Sequence, residues 1–99
     1  DDTVATAAMT RSKEIEKSFS HTRPDGRNFG TAITDLGITY RGAGENIAWG
    51  QKTPEAVMNA WMNSEGHRAN ILNPNFKKLG VGYRTDSQRT PYWTQLFTY

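Results

Sequence analysis

The sequence predicts an α+β domain in which helices pack on an antiparallel sheet. Two observations lead to this prediction. Apolar residues recur at helical spacing near the start and in the middle of the chain, and they alternate with polar residues in two adjacent stretches at its end. The predicted order is helix, loop, strand, helix, strand, strand, and the two final strands are joined closely enough to be antiparallel.

The first helix is predicted over residues 3 to about 19, because Val4, Ala8, Ile15 and Phe19 recur at steps of four, seven and four and so share one helix face. Arg11 is assigned to the polar remainder of this helix.

Turn residues follow the first helix. Residues 20–44 contain Pro24, Gly30 and other loop-forming residues, with one or two helical turns expected over Thr31–Leu36 before Gly37. The short alternating stretch Glu45–Trp49 then predicts a strand.

The second half contains the clearest boundary signals. Thr53 is a good N-cap and Pro54 suits the first helical position, so a helix is predicted to begin there and to end at Gly66. Alternation over residues 78–84 and 92–99 predicts a hairpin. Two glycines on one face of its first strand indicate that another element packs closely there.

Composition limits the classes of function. The 99 residues indicate one domain, residues 1–99, and a 35% apolar share suffices for a small core. The net charge of +2 comes from interleaved acids and bases, which argues against nucleic-acid binding. The absence of cysteine excludes disulfides and thiol catalysis. No apolar run approaches the roughly 18–20 residues that span a bilayer, so no transmembrane segment is expected.

The stretch "NSEGHRANIL" contains one of the two histidines. Glu65 and His67 flank Gly66, and on an unbroken helix they would point to different sides. If Gly66 ends the helix, the two side chains can converge. His21 follows the first helix, and Glu45 lies in an apolar strand where a buried carboxylate needs a partner. These four residues could satisfy one another by hydrogen bonds or hold a divalent ion.

Four blocks carry a resemblance: "SFSHTRPDGR", "GENIAWG", "AWMNSEGHRANILNPNFKKLGVGY" and "YWTQLF". They resemble the cysteine-free bacterial branch of the CAP superfamily, also called SCP/TAPS or PR-1-like, over about Thr3 to Tyr99. The resemblance implies an α-β-α sandwich with a central antiparallel sheet and a cleft lined by two histidines and two glutamates. Family members usually have a further helix before the segment equivalent to Asp1-Asp2, and without it part of one layer is expected to be exposed.

The resemblance assigns residues to the cleft. The tetrad maps to His21, Glu45, Glu65 and His67, which are the expected ligands of a divalent cation, zinc first. Asn46 and Gln95 match further polar positions of the family pattern near the cleft and are expected to bind the ligand. Ser64 is expected to do so as well, as a hydrogen-bonding residue at the helix end, on its residue type and not on the resemblance.

Three functions remain open at this point. The resemblance favours a secreted or cell-surface binding module without catalysis, whose partner is a small polar ligand, a lipid or a cell-envelope component, although a shared fold does not decide function. The alternative is a hydrolase or peptidase. It would use a metal-bound water with Glu45 or Glu65 as base, or Ser64 as nucleophile with His67 as base. The third possibility is a purely structural role, in which the four tetrad residues form a buried polar network that stabilises the loops and binds nothing.

Overall fold

A computed structural model describes all residues, 1–99, and contains four helices and three strands. In chain order the elements are α1 (Asp2–Lys17), α2 (Thr31–Thr34), β1 (Ala43–Trp49), α3 (Pro54–Met62), α4 (Glu65–Leu72), β2 (Lys78–Thr85) and β3 (Pro91–Thr98). The α+β class and every predicted element are confirmed, and α4 is an additional helix.

The three strands form an antiparallel sheet in the order β1-β3-β2. β3 is central, which explains why seven of its eight residues are buried. The register pairs Leu96 with Glu45 on one side and with Gly80 on the other, so these three residues share one face of the sheet. Asn46 and Gln95 form a neighbouring pair and lie on the opposite face.

Helix α1 covers the first of these faces. Asp1 caps it by accepting hydrogen bonds from the backbone N–H groups of Thr3 and Val4, both at 3.0 Å. The helix ends at Lys17 and not near residue 19, because Ser18 is already extended. Its buried face joins α2 and β3 in an apolar core comprising Val4, Ala7, Ala8, Ala32, Ile33 and Leu96.

The glycines of β2 permit a close approach between the sheet and α1. A Cβ on Gly80 would lie 2.3 Å from the backbone nitrogen of Ala5, and one on Gly82 would lie 2.3 Å from the carbonyl oxygen of Ala8. Neither distance is compatible with a side chain, so the predicted close packing on this strand is confirmed.

Helices α3 and α4 cover the opposite face, where Ala48, Val57, Trp61 and Trp93 form a second core. Helices therefore lie on both faces of the sheet, which confirms the expected α-β-α sandwich. On this second face the apolar side chains of β2 remain about half exposed: Leu79, Val81 and Tyr83. No helix of the structure combines the length and the hydropathy needed to cross a membrane.

The predicted helix end at Gly66 is wrong. Helix α3 ends at Met62, Ser64 is extended with φ −113° and ψ 122°, and α4 begins at Glu65 with Gly66 in its first turn. Serine is a favoured N-cap residue and glutamate is favoured in the first turn of a helix. The Ser64-Glu65 pair therefore starts a helix at the place where Gly66 was expected to end one.

Candidate functional site

A cleft of about 490 Å³ lies between the segment after α1, the end of β1, and the junction of α3 with α4. The side chains that matter for its chemistry are His21, Trp49, Gln51, Trp61, Ser64 and His67. Three elements distant in sequence therefore supply the cleft, and the sheet brings them together.

A buried ion pair supports the cleft from below. Arg11 Nε donates to Glu45 Oε2 at 2.7 Å and Nη2 donates to Oε1 at 3.1 Å, and both side chains are 0% exposed. Such a two-point guanidinium–carboxylate contact fixes geometry as well as charge. The expectation that Glu45 is buried with a partner is confirmed, but its main partner is an arginine and not a histidine.

His21 connects this ion pair to the cleft. Its Nδ1 lies 2.8 Å from Glu45 Oε1, and its side chain is 56% exposed. An ionised carboxylate only accepts hydrogen bonds, so Nδ1 carries the proton in this contact and Nε2 is left for other partners. Glu45 thereby fixes both the orientation and the tautomer of His21.

Arg11 is the site residue that the sequence analysis missed. It lies on the apolar face of α1, three residues after Ala8 and four before Ile15, so the helical spacing itself could have placed it inside. Burial lowers the pKa of Arg11, but hydrogen bonds to Glu45 and Glu14 outweigh this effect and hold the pKa above its usual value. The guanidinium is a permanent buried positive charge.

Helix α4 separates the two members of the "EGH" motif. His67 lines the cleft, whereas Glu65 is exposed and does not line it. The helix runs unbroken through both, and residues two apart point to different sides. Burial, and secondly the charge of His21, lower the pKa of His67 and favour its neutral form.

The predicted ligand-binding residues have two different placements. Ser64 lines the cleft. Asn46 and Gln95 lie in a buried network instead, in which Asn46 Nδ2 donates to Gln95 Oε1 and to the carbonyl oxygen of His67, each at 3.1 Å. Asn70, which the sequence analysis did not single out, donates to Asn46 Oδ1 at 2.9 Å. This network anchors α4 to β1 and so positions His67.

Gln51 is a second cleft residue that the motifs did not indicate. Its Oε1 is the one buried side-chain nitrogen or oxygen atom that has no hydrogen-bond partner. An unpaired buried acceptor is costly, so this atom lowers the stability of the cleft wall.

The metal chemistry of the cleft is limited by this arrangement. No three histidine, aspartate or glutamate side chains lie where they could hold a metal ion together. The cleft offers the imidazoles of His21 and His67, while both oxygens of Glu45 already accept hydrogen bonds from Arg11.

Sequence comparisons identify relatives of this chain. The CAP family model, described as the cysteine-rich secretory protein family, matches residues 1–97. The chain is 48% identical over 99 residues to the uncharacterized protein YkwD and 32% identical to the uncharacterized membrane protein YlbC, both of Bacillus subtilis (strain 168). Each match covers 98% of this chain but only 37% and 27% of the respective relative, so the chain spans well under half of either protein.

Solved structures agree with this relationship. An extracellular protein containing an SCP domain, from Bacillus anthracis str. Ames, matches with a TM-score of 0.88 and 35% identity over 99% of this chain and 32% of its own. An outer surface protein of Borrelia burgdorferi shares the fold at a TM-score of 0.88 and 23% identity, over 99% of this chain and 74% of its own. Since the family model matches nearly the whole chain and a related SCP domain has the same fold, this cysteine-free chain belongs to the CAP family, as its motifs predicted.

Proposed function

We propose that this chain is the binding module of a secreted or cell-surface protein and that its cleft recognises a small polar ligand without catalysing a reaction. One observation carries the proposal. Glu45 and Arg11 hold His21 in one tautomer and orientation while the imidazole stays open to the cleft, which His67 also lines. A preorganised polar group in a concave site is the usual feature of a recognition site. The extracellular and outer-surface proteins of the same fold support the location.

The cleft determines which chemistry the ligand presents. His21 and His67 offer ring nitrogens that donate or accept according to protonation, and Ser64 adds a hydroxyl group that can do either. Trp49 and Trp61 supply apolar walls. A ligand with both hydroxyl or amide donors and an acceptor group, and with one apolar face, fits this set.

A divalent cation belongs to the proposal only in a restricted form. The predicted tetrad does not fit a closed zinc site, because Glu65 lies outside the cleft and Arg11 places a positive charge against Glu45. His21 and His67 can supply two of the four ligands that zinc takes in proteins. We therefore propose cation binding, zinc first, through the two imidazoles, with the remaining ligands coming from water or from the bound molecule.

The hydrolase alternative gains no support from the geometry. A nucleophile and its base normally lie within hydrogen-bond reach, and Ser64 Oγ makes no hydrogen bond to His21 or His67. Both carboxylate oxygens of Glu45 already accept hydrogen bonds from Arg11, so neither is free to take a proton from a substrate or a water. The purely structural alternative describes the network around Asn46, but it leaves the open imidazoles unexplained.

The test is a titration of chelator-treated protein at pH 7.5, with heat and the imidazole NMR signals as readouts. Zn²⁺ is titrated into one sample. Sugars, amino acids and polyols are titrated into separate samples without Zn²⁺. We expect zinc to shift both imidazole signals in the wild type and to give no binding heat in the His21→Ala/His67→Ala variant. Glu65→Gln, which lies outside the cleft, is the matched control and should bind like the wild type.

The outcomes separate the parts of the proposal. If Glu65→Gln loses zinc binding, a site built on the two imidazoles alone is wrong. If members of the panel shift both imidazoles and zinc does not, the cation part is refuted while ligand recognition stands. If neither zinc nor any member of the panel shifts them, the recognition site is refuted.

A further inference from the structure

The cleft that contains His21 and His67 lies along the outer edge of β1. Strand β1 is an edge strand, because the order in the sheet is β1-β3-β2. Ile47, Ala48 and Trp49 line the cleft, and no residue of β2 or β3 does. Successive residues of a strand point to opposite faces, so a cleft lined by all three wraps around the strand edge. The edge of β1 is therefore the floor of the cleft.

The hydrogen bonds of β1 show which of its backbone groups face this edge. Gly42 and Tyr99 each donate a backbone N–H to the carbonyl oxygen of the other, and the N–H of Gly50 donates to the carbonyl oxygen of Pro91. Bonded residues alternate along an antiparallel pair. The even-numbered residues of β1 therefore bond to β3, and the odd-numbered residues direct their N–H and C=O groups outward.

Side chains of α3 and α4 close only part of this outer edge. Asn70 Nδ2 donates to the carbonyl oxygen of Glu45 at 3.4 Å, and Trp61 Nε1 donates to that of Ile47 at 3.2 Å. The N–H of Ile47 and both the N–H and the C=O of Trp49 have no partner. The open part of the edge is thus the part that lines the cleft. Unpaired groups on a strand edge are a template for another extended chain.

The charge of the cleft suits a neutral main chain. No aspartate, glutamate, lysine or arginine lines it, and its polar side chains are those of serine, glutamine and histidine. A strongly charged ligand would find no opposite charge there. A peptide main chain carries no charge and presents N–H and C=O groups together, as the open edge requires.

A smaller cavity of about 270 Å³ adjoins the cleft on the side of α1. Its lining is mainly apolar or aromatic: Ile15, Glu16, Phe19, Trp49 and Tyr92. Phe19 and Trp49 line both cavities and are 49% and 56% exposed. The one charged member, Glu16, accepts a hydrogen bond from Arg84 Nε and is thereby paired. This side pocket is therefore suited to an apolar side chain.

We propose that the cleft binds a short extended peptide, which adds a strand to the outer edge of β1 and places one apolar side chain between Phe19 and Trp49. The inference rests on the proposed function and names the ligand class of the same site. The peptide main chain pairs with the N–H of Ile47 and with the N–H and C=O of Trp49. In strand addition these main-chain bonds supply affinity, and a pocket for an alternate side chain supplies specificity.

The test is an NMR titration of the ¹⁵N-labelled chain with the peptide acetyl-Ser-Thr-Leu-Thr-Ser-amide, which is uncharged and contains residues that favour strands. An N–H group without a partner exchanges with solvent faster than one in a ladder. At saturating peptide we expect slower amide exchange at Ile47 and Trp49. Ala48 is the internal control, because its N–H already bonds to β3 and should not change.

Two N-methylated peptides test the strand geometry directly. Consecutive N–H groups of an extended chain point to opposite sides, so methylation at leucine and methylation at the threonine after it affect different edges of the bound peptide. One of the two should weaken binding at least about tenfold, and the other should bind like the parent peptide.

Replacement of the leucine and of Phe19 tests the side pocket. A peptide with alanine in place of leucine should bind about tenfold more weakly to the wild type. Phe19→Ala should remove most of this difference between the two peptides. Leu36→Ala is the matched control, since Leu36 is a similarly exposed apolar side chain that lines neither cavity.

The outcomes distinguish this inference from the proposed function. Equal effects of the two N-methyl groups would refute strand addition, and equal affinity of the leucine and alanine peptides would refute the side pocket. If the peptide leaves Ile47 and Trp49 unchanged while sugars, amino acids or polyols shift the imidazole signals, the inference is wrong and the proposed function stands. If none of these ligands has an effect, both are wrong.

Discussion

Replacing Arg11 by methionine tests the ion pair that supports the cleft. Methionine keeps much of the apolar stem but removes the guanidinium, which donates to Glu45, to Glu14 and to the carbonyl oxygen of Ser20. Glu45 then remains buried, with only His21 as a side-chain partner. The change therefore leaves an uncompensated carboxylate in the interior, which is far costlier than losing a surface charge.

The expected loss of stability follows from this burial. Removing one partner of a buried ion pair costs about 3–5 kcal/mol. The whole free energy of unfolding of a domain is about 5–15 kcal/mol. His21 offers Glu45 partial compensation, so we expect a loss of about 3 kcal/mol, the lower end of that range. If the free energy of unfolding falls by about 1.5 kcal/mol for each molar of urea, this loss lowers the urea concentration at the unfolding midpoint by about 2 M.

The assay is urea unfolding at pH 7, followed by tryptophan fluorescence and circular dichroism. Arg27→Met is the matched control. Its guanidinium also bonds two carboxylates, those of Asp25 and Asp35, but its side chain is 45% exposed, so the midpoint should hardly move. The Arg11→Met/Glu45→Gln variant should regain part of the lost stability, because no buried charge is then left unpaired.

Two results would refute this reasoning. A loss below about 1 kcal/mol in Arg11→Met would put the buried pair in the range of surface pairs. A double variant no more stable than Arg11→Met would show that lost packing, and not the charge on Glu45, causes the effect.

Two further predictions concern packing and pH. Gly80→Ala should destabilise the fold by about 1–3 kcal/mol or more in urea unfolding, because its Cβ would lie 2.3 Å from the backbone of α1. Gly66→Ala should stabilise it by about 0.5–1 kcal/mol, because that helical position is open; equal effects of the two changes would contradict the close packing. The lowered pKa of His67 means that the unfolded state takes up the proton more readily than the folded state. The contribution of His67 to the free energy of unfolding should therefore be fully present above pH 6.5 and be lost as the pH falls below that value. Melting temperatures measured between about pH 5 and 7 should show this decline, and the decline should be smaller in His67→Gln. An unchanged decline would assign the effect to other groups.

Local patterns were sufficient for most elements of the fold. The apolar spacing of α1, the Thr53-Pro54 start of α3 and the alternation in β2 and β3 all report preferences that act within a few residues. The glycine pair in β2 even indicated close packing, since a side chain is absent wherever backbones meet.

The error at Gly66 shows where local patterns fail. Glycine is compatible with a helix end and, at a modest cost, with a first turn. The structure takes the second option, and α4 then places Asn70 where it donates to Asn46 on β1. That contact joins residues 24 apart, so the stretch around Gly66 does not contain the information that decides between the two options.

The sequence by itself determined α1, the start of α3, the hairpin and the family, because short-range spacing and motif order carry these features. It also named His21, Glu45 and His67 as candidate site residues. The tertiary structure alone decided that Arg11 neutralises Glu45 and that Glu65 lies outside the cleft. The physical reason is that a buried charge takes whichever partner the packing brings to it, and Arg11 reaches Glu45 across 34 residues only because α1 lies on the sheet.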